Sequence, residues 1–403
     1  MSYTFMRAYQ DIKMNNISIM KRVLRLAGKA SGMTSPNPMV GAVLVKNGKI
    51  IAEDYHRKPG APHAEALVID KTGEKAKGAT LYVNLEPCCH TDKRTPPCTR
   101  AIIKAGIKKV VMGMKDPNPK VSGKGIAELR GAGINVVSGI LEEDSIKLNE
   151  IYAKYIMTKR PFVILKVAMT LDGKIATPEG ESKWITGEKA RELVHKTRGR
   201  VDAVMTAIGT VKADDPQLTA RIKKGTRDEG QGTRSPIRIV IDPEFEIPID
   251  AKILNTPPET IVVIKRSQKS VSIGDPSALG RTRRGEPRRE VRSQKLEALL
   301  NKNIKIIEYD GERVDMKWLM KKLGEMGIAS VLIEGGSSLN SHALEYGIVD
   351  KVMFFIAPKI IGGKESFPSV GGKAVRKLSE AHQLKNITLK RIGDDILLEG
   401  YIK

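Results

Sequence analysis

A chain of 403 residues is long enough for two or three domains, and with 40% hydrophobic and 29% charged residues it can bury sizeable cores. No apolar run approaches the ~20 residues of a membrane helix, the N-terminal MSYTFMRAYQDIK lacks an apolar signal core, and 3 cysteines, two of them adjacent, do not make a disulfide scaffold. Membrane, disulfide-stapled and wholly disordered classes are excluded and the cytoplasm is the expected compartment; the net charge of +23 raises nucleic acid as a partner but suits a phosphorylated substrate as well.

The first 158 residues alternate between helix and strand patterns. Met20, Val23, Leu24 and Ala27 have the spacing of a helix over residues 17–30. Val40–Val45 and Lys49–Glu53 read as strands joined by the hairpin pair Asn47-Gly48. A helix over His63–Asp70, a strand over Ala79–Leu85 and a helix from Pro97 closed by Gly106 follow. Lys109–Gly113 and Ile134–Val137 are strands around a helix at Gly125–Arg130. A single linking helix is expected over Glu142–Thr158, and a domain boundary near residue 160 at Lys159-Arg160-Pro161. Beyond it, strands are expected at Phe162–Met169, Ala203–Thr206, Ile237–Ile241, Thr260–Ile264, Ile304–Tyr309 and Val331–Ile333, with helices at Glu188–Lys196, Val314–Met326 and Ser338–Tyr346. Lys351–Ile356, Gln383–Ile392 and Asp395–Ile402 close the chain with strands. The pattern is α/β, a mixed sheet with helices in each half. Residues 265–295 carry ten Lys/Arg against three acidic residues and few large apolar ones, and read as a disordered basic insertion. They contain no aromatic residue of the kind that interleaves with basic residues in single-strand binders, so nucleic acid is not the expected partner.

The chemistry concentrates in His63-Ala64-Glu65, Glu86-Pro87-Cys88-Cys89 and Thr95-Pro96-Pro97-Cys98. One imidazole and two thiolates make a three-ligand zinc set with the fourth position open, as a catalytic site needs, whereas a structural zinc takes four ligands. Cys88, directly after Glu86-Pro87, is preferred as ligand over Cys89, which competes with it. Glu65, two residues after His63, lies close to the metal without binding it and can carry protons between water and a leaving amine, the His-x-Glu and Pro-Cys arrangement of zinc nucleobase deaminases. Nine residues separate Cys88 from Cys98, far more than a Cys-x-x-Cys spacing, and Lys93 and Arg94 in that loop suit a larger anionic ligand.

These motifs, with Pro36-Asn37-Pro38-Met39-Val40-Gly41, Gly60-Ala61-Pro62, Asp116-Pro117-Asn118-Pro119 and Gly123-Lys124-Gly125, resemble the bifunctional deaminase/reductases of riboflavin biosynthesis. In the second half Leu165-Lys166, Leu171-Asp172-Gly173-Lys174, Ser182-Lys183-Trp184-Ile185-Thr186, the run Val211–Arg221 and Glu334-Gly335-Gly336 continue the resemblance in order. It implies a cytidine-deaminase-like domain over residues 14–158 and a dihydrofolate-reductase-like domain over 160–403. The first would deaminate 2,5-diamino-6-(5-phosphoribosylamino)pyrimidin-4(3H)-one, and the second would reduce the product's ribosyl group with NADPH to ribityl. It further implies Zn2+ on His63, Cys88 and Cys98, with Glu65 as proton carrier, and substrate contacts at Asn37, His56 and Arg94. NADPH contacts would fall at Ala168, Trp184, Thr210, Asp214 and the run Gly336, Ser337, Ser338, Leu339, Asn340, Ser341 and His342. Reductase substrate contacts would fall at Lys166, Ser182, Arg198, Leu218, Arg221 and Glu334, with both arginines on the phosphate. The glycines before the last helix would let cofactor phosphate meet backbone N–H groups, without a Gly-x-Gly-x-x-Gly fingerprint. The basic insertion has no counterpart in the family pattern, and the sequence leaves room for a homo-oligomer. The rival readings are a tRNA- or nucleotide-acting zinc deaminase fused to an unrelated α/β domain, favoured by the charge, and a non-catalytic nucleic-acid-binding protein with a structural zinc.

Overall fold

The computed structural model describes residues 3–91, 95–221, 234–266, 286–302 and 304–403, with side chains from residue 16 and, in the fourth stretch, from residue 294. The chain divides into two compact units, Met1–Pro161 and a second running over Phe162–Lys223 and Ser235–Lys403. Among the described residues no helix is long and apolar enough to cross a membrane.

The first unit contains α1 (Tyr3–Gly28), β1 (Gly41–Lys46), β2 (Lys49–Tyr55), α2 (Ala64–Thr72), β3 (Thr80–Leu85), α3 (Cys98–Lys104), β4 (Lys109–Met114), α4 (Lys124–Gly131), β5 (Asn135–Val137), α5 (Glu142–Leu148) and α6 (Glu150–Thr158). Its five strands lie in the order β2-β1-β3-β4-β5, antiparallel across β2, β1 and β3 and parallel onward to β5. Asn47 and Gly48 both take positive φ, 49° and 73°, as the tight hairpin between β1 and β2 requires. The period of two divides the strand residues between two cores. Ala42, Leu44, Leu81, Val83, Val110 and Met112 face a core shared with α2, α3 and α4, while Val43, Val45, Tyr82 and Val111 face α1. Gly41 permits that second contact: a Cβ there would collide with the Val23 carbonyl and stand 2.9 Å from Ala27 N.

The second unit contains β6 (Phe162–Thr170), β7 (Lys174–Ala176), α7 (Glu188–Arg198), β8 (Ala203–Ala207), α8 (Ile208–Asp214), β9 (Ile237–Ile241), α9 (Lys252–Asn255), β10 (Thr260–Lys265), α10 (Glu286–Asn301), β11 (Lys305–Tyr309), α11 (Met316–Glu325), β12 (Ser330–Ile333), α12 (Ser337–Glu345), β13 (Lys351–Ala357), β14 (Phe367–Pro368), β15 (Leu384–Ile392) and β16 (Asp395–Ile402). Its nine-stranded sheet runs β11-β10-β9-β8-β12-β6-β13-β16-β15. It is parallel from β11 to β13, and β16 and β15 close it antiparallel. Parallel strands covered on both faces explain the near-continuous apolar runs of β8, β10 and β12. Asp315 caps α11 by accepting from Lys317 N and Trp318 N at 2.8 and 3.1 Å.

Two expectations are corrected. The segment 142–158 is not one helix: Asn149, at φ −106° and ψ 21°, separates α5 from α6. The basic segment 265–295 is not disordered throughout. Lys265 belongs to β10 and α10 starts at Glu286, while residues 267–285 lie outside the described residues. Pro287 near the helix start is compatible with initiation, Leu299 is buried and Lys295 Nζ donates to the Phe245 carbonyl at 2.6 Å. The short elements β7, α8, α9 and β14 are additions to the sequence reading.

Gly41→Ala is expected to destabilise the first unit by about 1–3 kcal/mol, the cost of overpacking where backbone rather than a flexible side chain must move. A lower urea midpoint of that unit's unfolding checks this, and an unchanged midpoint contradicts the close α1–β1 approach.

Candidate functional site

Three loops at one end of the first sheet bring the ligand-type residues together. His63 immediately precedes α2 with extended backbone, Cys88 follows β3, and Cys98 opens α3. His63 Nδ1 stands 3.5 Å from Cys88 Sγ and 3.2 Å from Cys98 Sγ, and all three donor atoms lie within 4.8 Å of one another. The other ring nitrogen, Nε2, faces Thr95 Oγ1 at 3.2 Å, an arrangement that leaves Nδ1 directed at the sulfurs. Cys89 is not in this cluster; its thiol faces the Lys120 carbonyl at 4.0 Å. One soft cation suits the set of two sulfurs and one imidazole nitrogen.

Glu65, in the first turn of α2, is only 3% exposed, and its Oε2 is buried without a hydrogen-bond partner. Burial pushes this carboxyl up, against the downward pull of His63. A buried carboxyl oxygen without a partner is costly in a purely structural role. Beside it, the buried His56 ring meets His63 edge-on at 5.2 Å between centroids, and Asn37 Nδ2 stands 3.5 Å from His56 Nε2. Burial also lowers the His56 pKa, while its Nδ1 pairs with the Pro62 carbonyl at 3.1 Å. Arg94 lies outside the described residues.

Glu86 shows what the Asp116-Pro117-Asn118-Pro119 and Gly123-Lys124-Gly125 motifs do. Its buried carboxylate accepts from Asp116 N at 3.2 Å, Gly123 N at 2.9 Å and Ile126 N at 3.0 Å, and so satisfies donors at the start of α4. A Cβ on Gly125 would collide with the Pro87 carbonyl. The turn that presents Cys88 is therefore held from behind by a carboxylate and by a glycine that only a bare backbone can replace. Asp116, pushed up to about 6 by burial, accepts from Tyr152 Oη at 2.9 Å.

In the second unit the polar residues gather at the carboxyl ends of β8 and β12, beside the middle of the longer β6, where ligands bind in open α/β sheets. Arg198, at the end of α7, holds Glu334 through Nε at 2.6 Å and Nη2 at 2.9 Å, and Lys166 Nζ of β6 approaches the same carboxylate at 3.4 Å. Burial alone would push Glu334 up, but the two cations outweigh it and hold the carboxyl at about 2. Arg198, expected on the substrate phosphate, is engaged here by protein groups: besides the two contacts to Glu334, its Nη1 donates to the Thr219 carbonyl at 3.3 Å. Arg221 is exposed and its backbone N–H reaches His195 Nδ1 at 3.4 Å. Leu218 is buried with φ 52°, Ser182 Oγ donates to Asp214 at 3.4 Å, and Ala168 lies on β6 opposite Phe355 of β13. Trp184 is 66% exposed, with the Arg191 guanidinium 4.5 Å over its ring.

Gly336 caps α12 in extended conformation, and a Cβ on it would stand 3.9 Å from Thr210 Oγ1 of α8. Ser337 Oγ, Asn340 Oδ1 and His342 Nε2 are buried without hydrogen-bond partners along that helix. Ser338 lies in its first turn, Leu339 packs into the core and Ser341 Oγ donates to Glu345 at 3.1 Å. The helix start without a side-chain cap, with the unsatisfied Ser337 hydroxyl beside it, fits an anionic cofactor group, while the unsatisfied Asn340 Oδ1 would accept from a donor. Sequence reasoning missed Thr95, His195, Thr206, whose hydroxyl donates to the Glu334 carbonyl at 2.8 Å, and the cradle of Glu86. Of these, Glu86 and Thr95 stand inside quoted motifs, whereas His195 and Thr206 left no signal along the chain.

A family model described as the cytidine and deoxycytidylate deaminase zinc-binding region matches residues 14–114, and one described as the RibD C-terminal domain matches residues 161–398. The riboflavin biosynthesis protein RibD of Actinobacillus pleuropneumoniae is 44% identical over 388 residues, 96% of this chain and 95% of the relative. That of Escherichia coli strain K12 is 38% identical over 388 residues, 94% of this chain and 97% of the relative. Among solved structures, Acinetobacter baumannii RibD superposes with a TM-score of 0.80 at 35% identity, covering 97% of this chain and 99% of the other. A Thermotoga maritima diaminohydroxyphosphoribosylaminopyrimidine deaminase/5-amino-6-(5-phosphoribosylamino)uracil reductase superposes with 0.78 at 35% identity over the same shares.

The Glu334 carboxylate stabilises the folded second unit above its ordinary value near 4.5, and that contribution drains away as pH falls toward about 2. The excess urea midpoint of wild type over Glu334→Gln is therefore expected to shrink on acidification from about pH 6 to about pH 3. A difference that stays constant across this range contradicts the ion cluster.

Proposed function

This chain belongs to the RibD family, bifunctional enzymes of riboflavin biosynthesis that join a deaminase to a reductase, and we propose that its residues divide the two reactions as follows. Residues 14–158 form the deaminase, acting on 2,5-diamino-6-(5-phosphoribosylamino)pyrimidin-4(3H)-one. Residues 160–403 form the reductase, which converts the deaminated ribosyl compound to 5-amino-6-(5-phosphoribitylamino)uracil. An NADPH-dependent enzyme whose zinc ligands include cysteines that must stay reduced belongs in the cytoplasm.

The observation that carries the deaminase reading is the conjunction of three donor atoms within 4.8 Å and the unpartnered Glu65 Oε2 beside them. His63 Nδ1, Cys88 Sγ and Cys98 Sγ hold zinc, which when bound makes water acidic enough to act as nucleophile at neutral pH. Glu65 Oε2 takes the proton from the attacking water and returns it to the departing 2-amino group, which leaves as ammonia. Burial supports the first half of this role, because a carboxylate whose charged form is disfavoured takes up a proton more readily than an exposed one. Asn37 and His56 hold the edge of the pyrimidine, and His56, kept neutral by burial, does so without repelling a cation. Arg94 meets the phosphoribosyl arm.

In the reductase, NADPH supplies the hydride when bound. Ala168, Trp184, Thr210 and Asp214 flank it, and the run Gly336–His342 offers helix-start N–H groups and unsatisfied side-chain atoms to it. Ser182, Lys166 and Glu334 orient the ribosyl hydroxyls, and Leu218 shapes the wall of the pocket. Arg221, exposed and near the cluster, takes the substrate phosphate, while Arg198 keeps Glu334 ionised and in place. This division disfavours a tRNA-acting deaminase with an unrelated partner domain, since the second half matches the RibD C-terminal domain along almost its whole length.

Glu65→Gln is expected to lower ammonia release by about 10²- to 10⁴-fold. One zinc per chain and NADPH oxidation on the deaminated substrate should persist. Ammonia release at the wild-type rate contradicts the role given to Glu65.

A further inference from the structure

The segment from α5 to α6 lies beyond residue 114, where the match to the deaminase zinc-binding region ends. Yet it presents a buried polar stripe to that unit. Ser145, Asn149 and Tyr152, spaced four and three residues apart, are 0%, 1% and 7% exposed. Ser145 packs on β4 at Gly113, where a Cβ would collide with its hydroxyl, and Tyr152 Oη donates to Asp116. Asn149 has a different target. Its Oδ1 accepts from Met39 N at 2.8 Å and its Nδ2 donates to Met39 O at 3.1 Å. Asn84 of β3 also donates to Met39 O, at 2.9 Å, and accepts from Gly41 N at 2.8 Å. Both backbone polar groups of Met39, just before β1, are thus held by buried side-chain amides.

Met39 is two residues from Asn37, and the residue between them is Pro38, whose ring fixes φ. A peptide gripped at both its N–H and its C=O, joined through a proline, leaves few dihedrals by which Asn37 can turn. Asn37 Nδ2 in turn stands 3.5 Å from His56 Nε2, and His56 meets the ligand residue His63. The same demand explains the break between the helices: at φ −106° Asn149 leaves the helical path and its amide reaches the strand-like backbone of Met39.

We propose that Asn149 is a positioning residue for deamination, fixing the Met39 backbone and through it the aim of Asn37 at the pyrimidine. The proposal rests on the reading of Asn37 as a substrate contact.

The test uses the full-length, zinc-loaded chain carrying Asn149→Ala, Asn37→Ala or both. It measures KM and kcat for ammonia release, zinc per chain, and NADPH oxidation on the deaminated substrate. Asn149→Ala is expected to raise the pyrimidine KM about tenfold, the scale of one buried amide left unsatisfied. Its kcat, zinc content and reductase turnover should stay near wild type. Asn37→Ala should also raise KM, and the pair should raise it by less than the product of the single effects. Should Asn149→Ala fail to fold, Asn149→Asp, which keeps the acceptor for Met39 N–H, is expected to raise KM in the same direction. If Asn37→Ala raises KM while a folded Asn149 variant keeps the wild-type value, or loses kcat and zinc instead, the proposal is overturned alone. If Asn37→Ala leaves KM unchanged, the reading of Asn37 falls and the proposal with it.

Discussion

Burying a carboxyl group with one oxygen unsatisfied is unfavourable by about 1–3 kcal/mol, and the first unit does so beside a cluster of two thiols and an imidazole. The rest of that unit exists to hold this arrangement. β2 and β3 end at the edge where β1 begins, His63 and Glu65 enter on the start of α2, and Cys98 enters on the start of α3. Cys88 has no helix to fix it. Its turn is held by Glu86, whose carboxylate binds the backbone of the loop and helix start 30 to 40 residues onward. Packing and capping leave Glu65 Oε2 without a hydrogen-bond partner; an attacking water or a departing amine on that side would give it one.

The second unit manages its buried charge in the opposite way. Glu334 is fully engaged, by Arg198 in two-point contact and by Lys166 at longer range, and it stays ionised down to about pH 2. Leaving out Arg198 would leave the buried carboxylate with only the longer contact to Lys166, a loss of its two-point partner. The result is a charged floor at the end of β12 and beside the middle of β6, with unsatisfied polar atoms along the neighbouring α12. The first unit thus buries a carboxyl with an oxygen left open, and the second buries one whose charge is fully compensated.

Much of this was legible along the chain because the signals were local. Asn47-Gly48 marked the hairpin, the short spacing of His63 and Glu65 marked one turn of helix, and Pro-flanked cysteines marked the ligand loop. Alternatives between neighbours were less so: only the folded loop shows Cys89 turned toward Lys120 and Cys88 toward His63. Contacts across long separations were invisible. Arg198 and Glu334 are 136 residues apart, and Asn149 and Met39 are 110 apart. The helix break at Asn149 was missed because the residue is an acceptable helix member by propensity, and tertiary hydrogen bonding overrode it. The start of α10 was hidden by a basic composition that resembles disorder, although its buried Leu299 marks an apolar contact.

The claim on which the account rests is that a cation held by His63, Cys88 and Cys98 makes Glu65 a working acid and base. Elemental analysis of the purified chain, paired with ammonia release before and after dialysis against a chelator, tests it most directly. One zinc per chain, with ammonia release lost on chelation and recovered on adding zinc, is predicted, while NADPH oxidation on the deaminated substrate persists throughout. A chain without transition metal that still releases ammonia, or one indifferent to chelation, contradicts it.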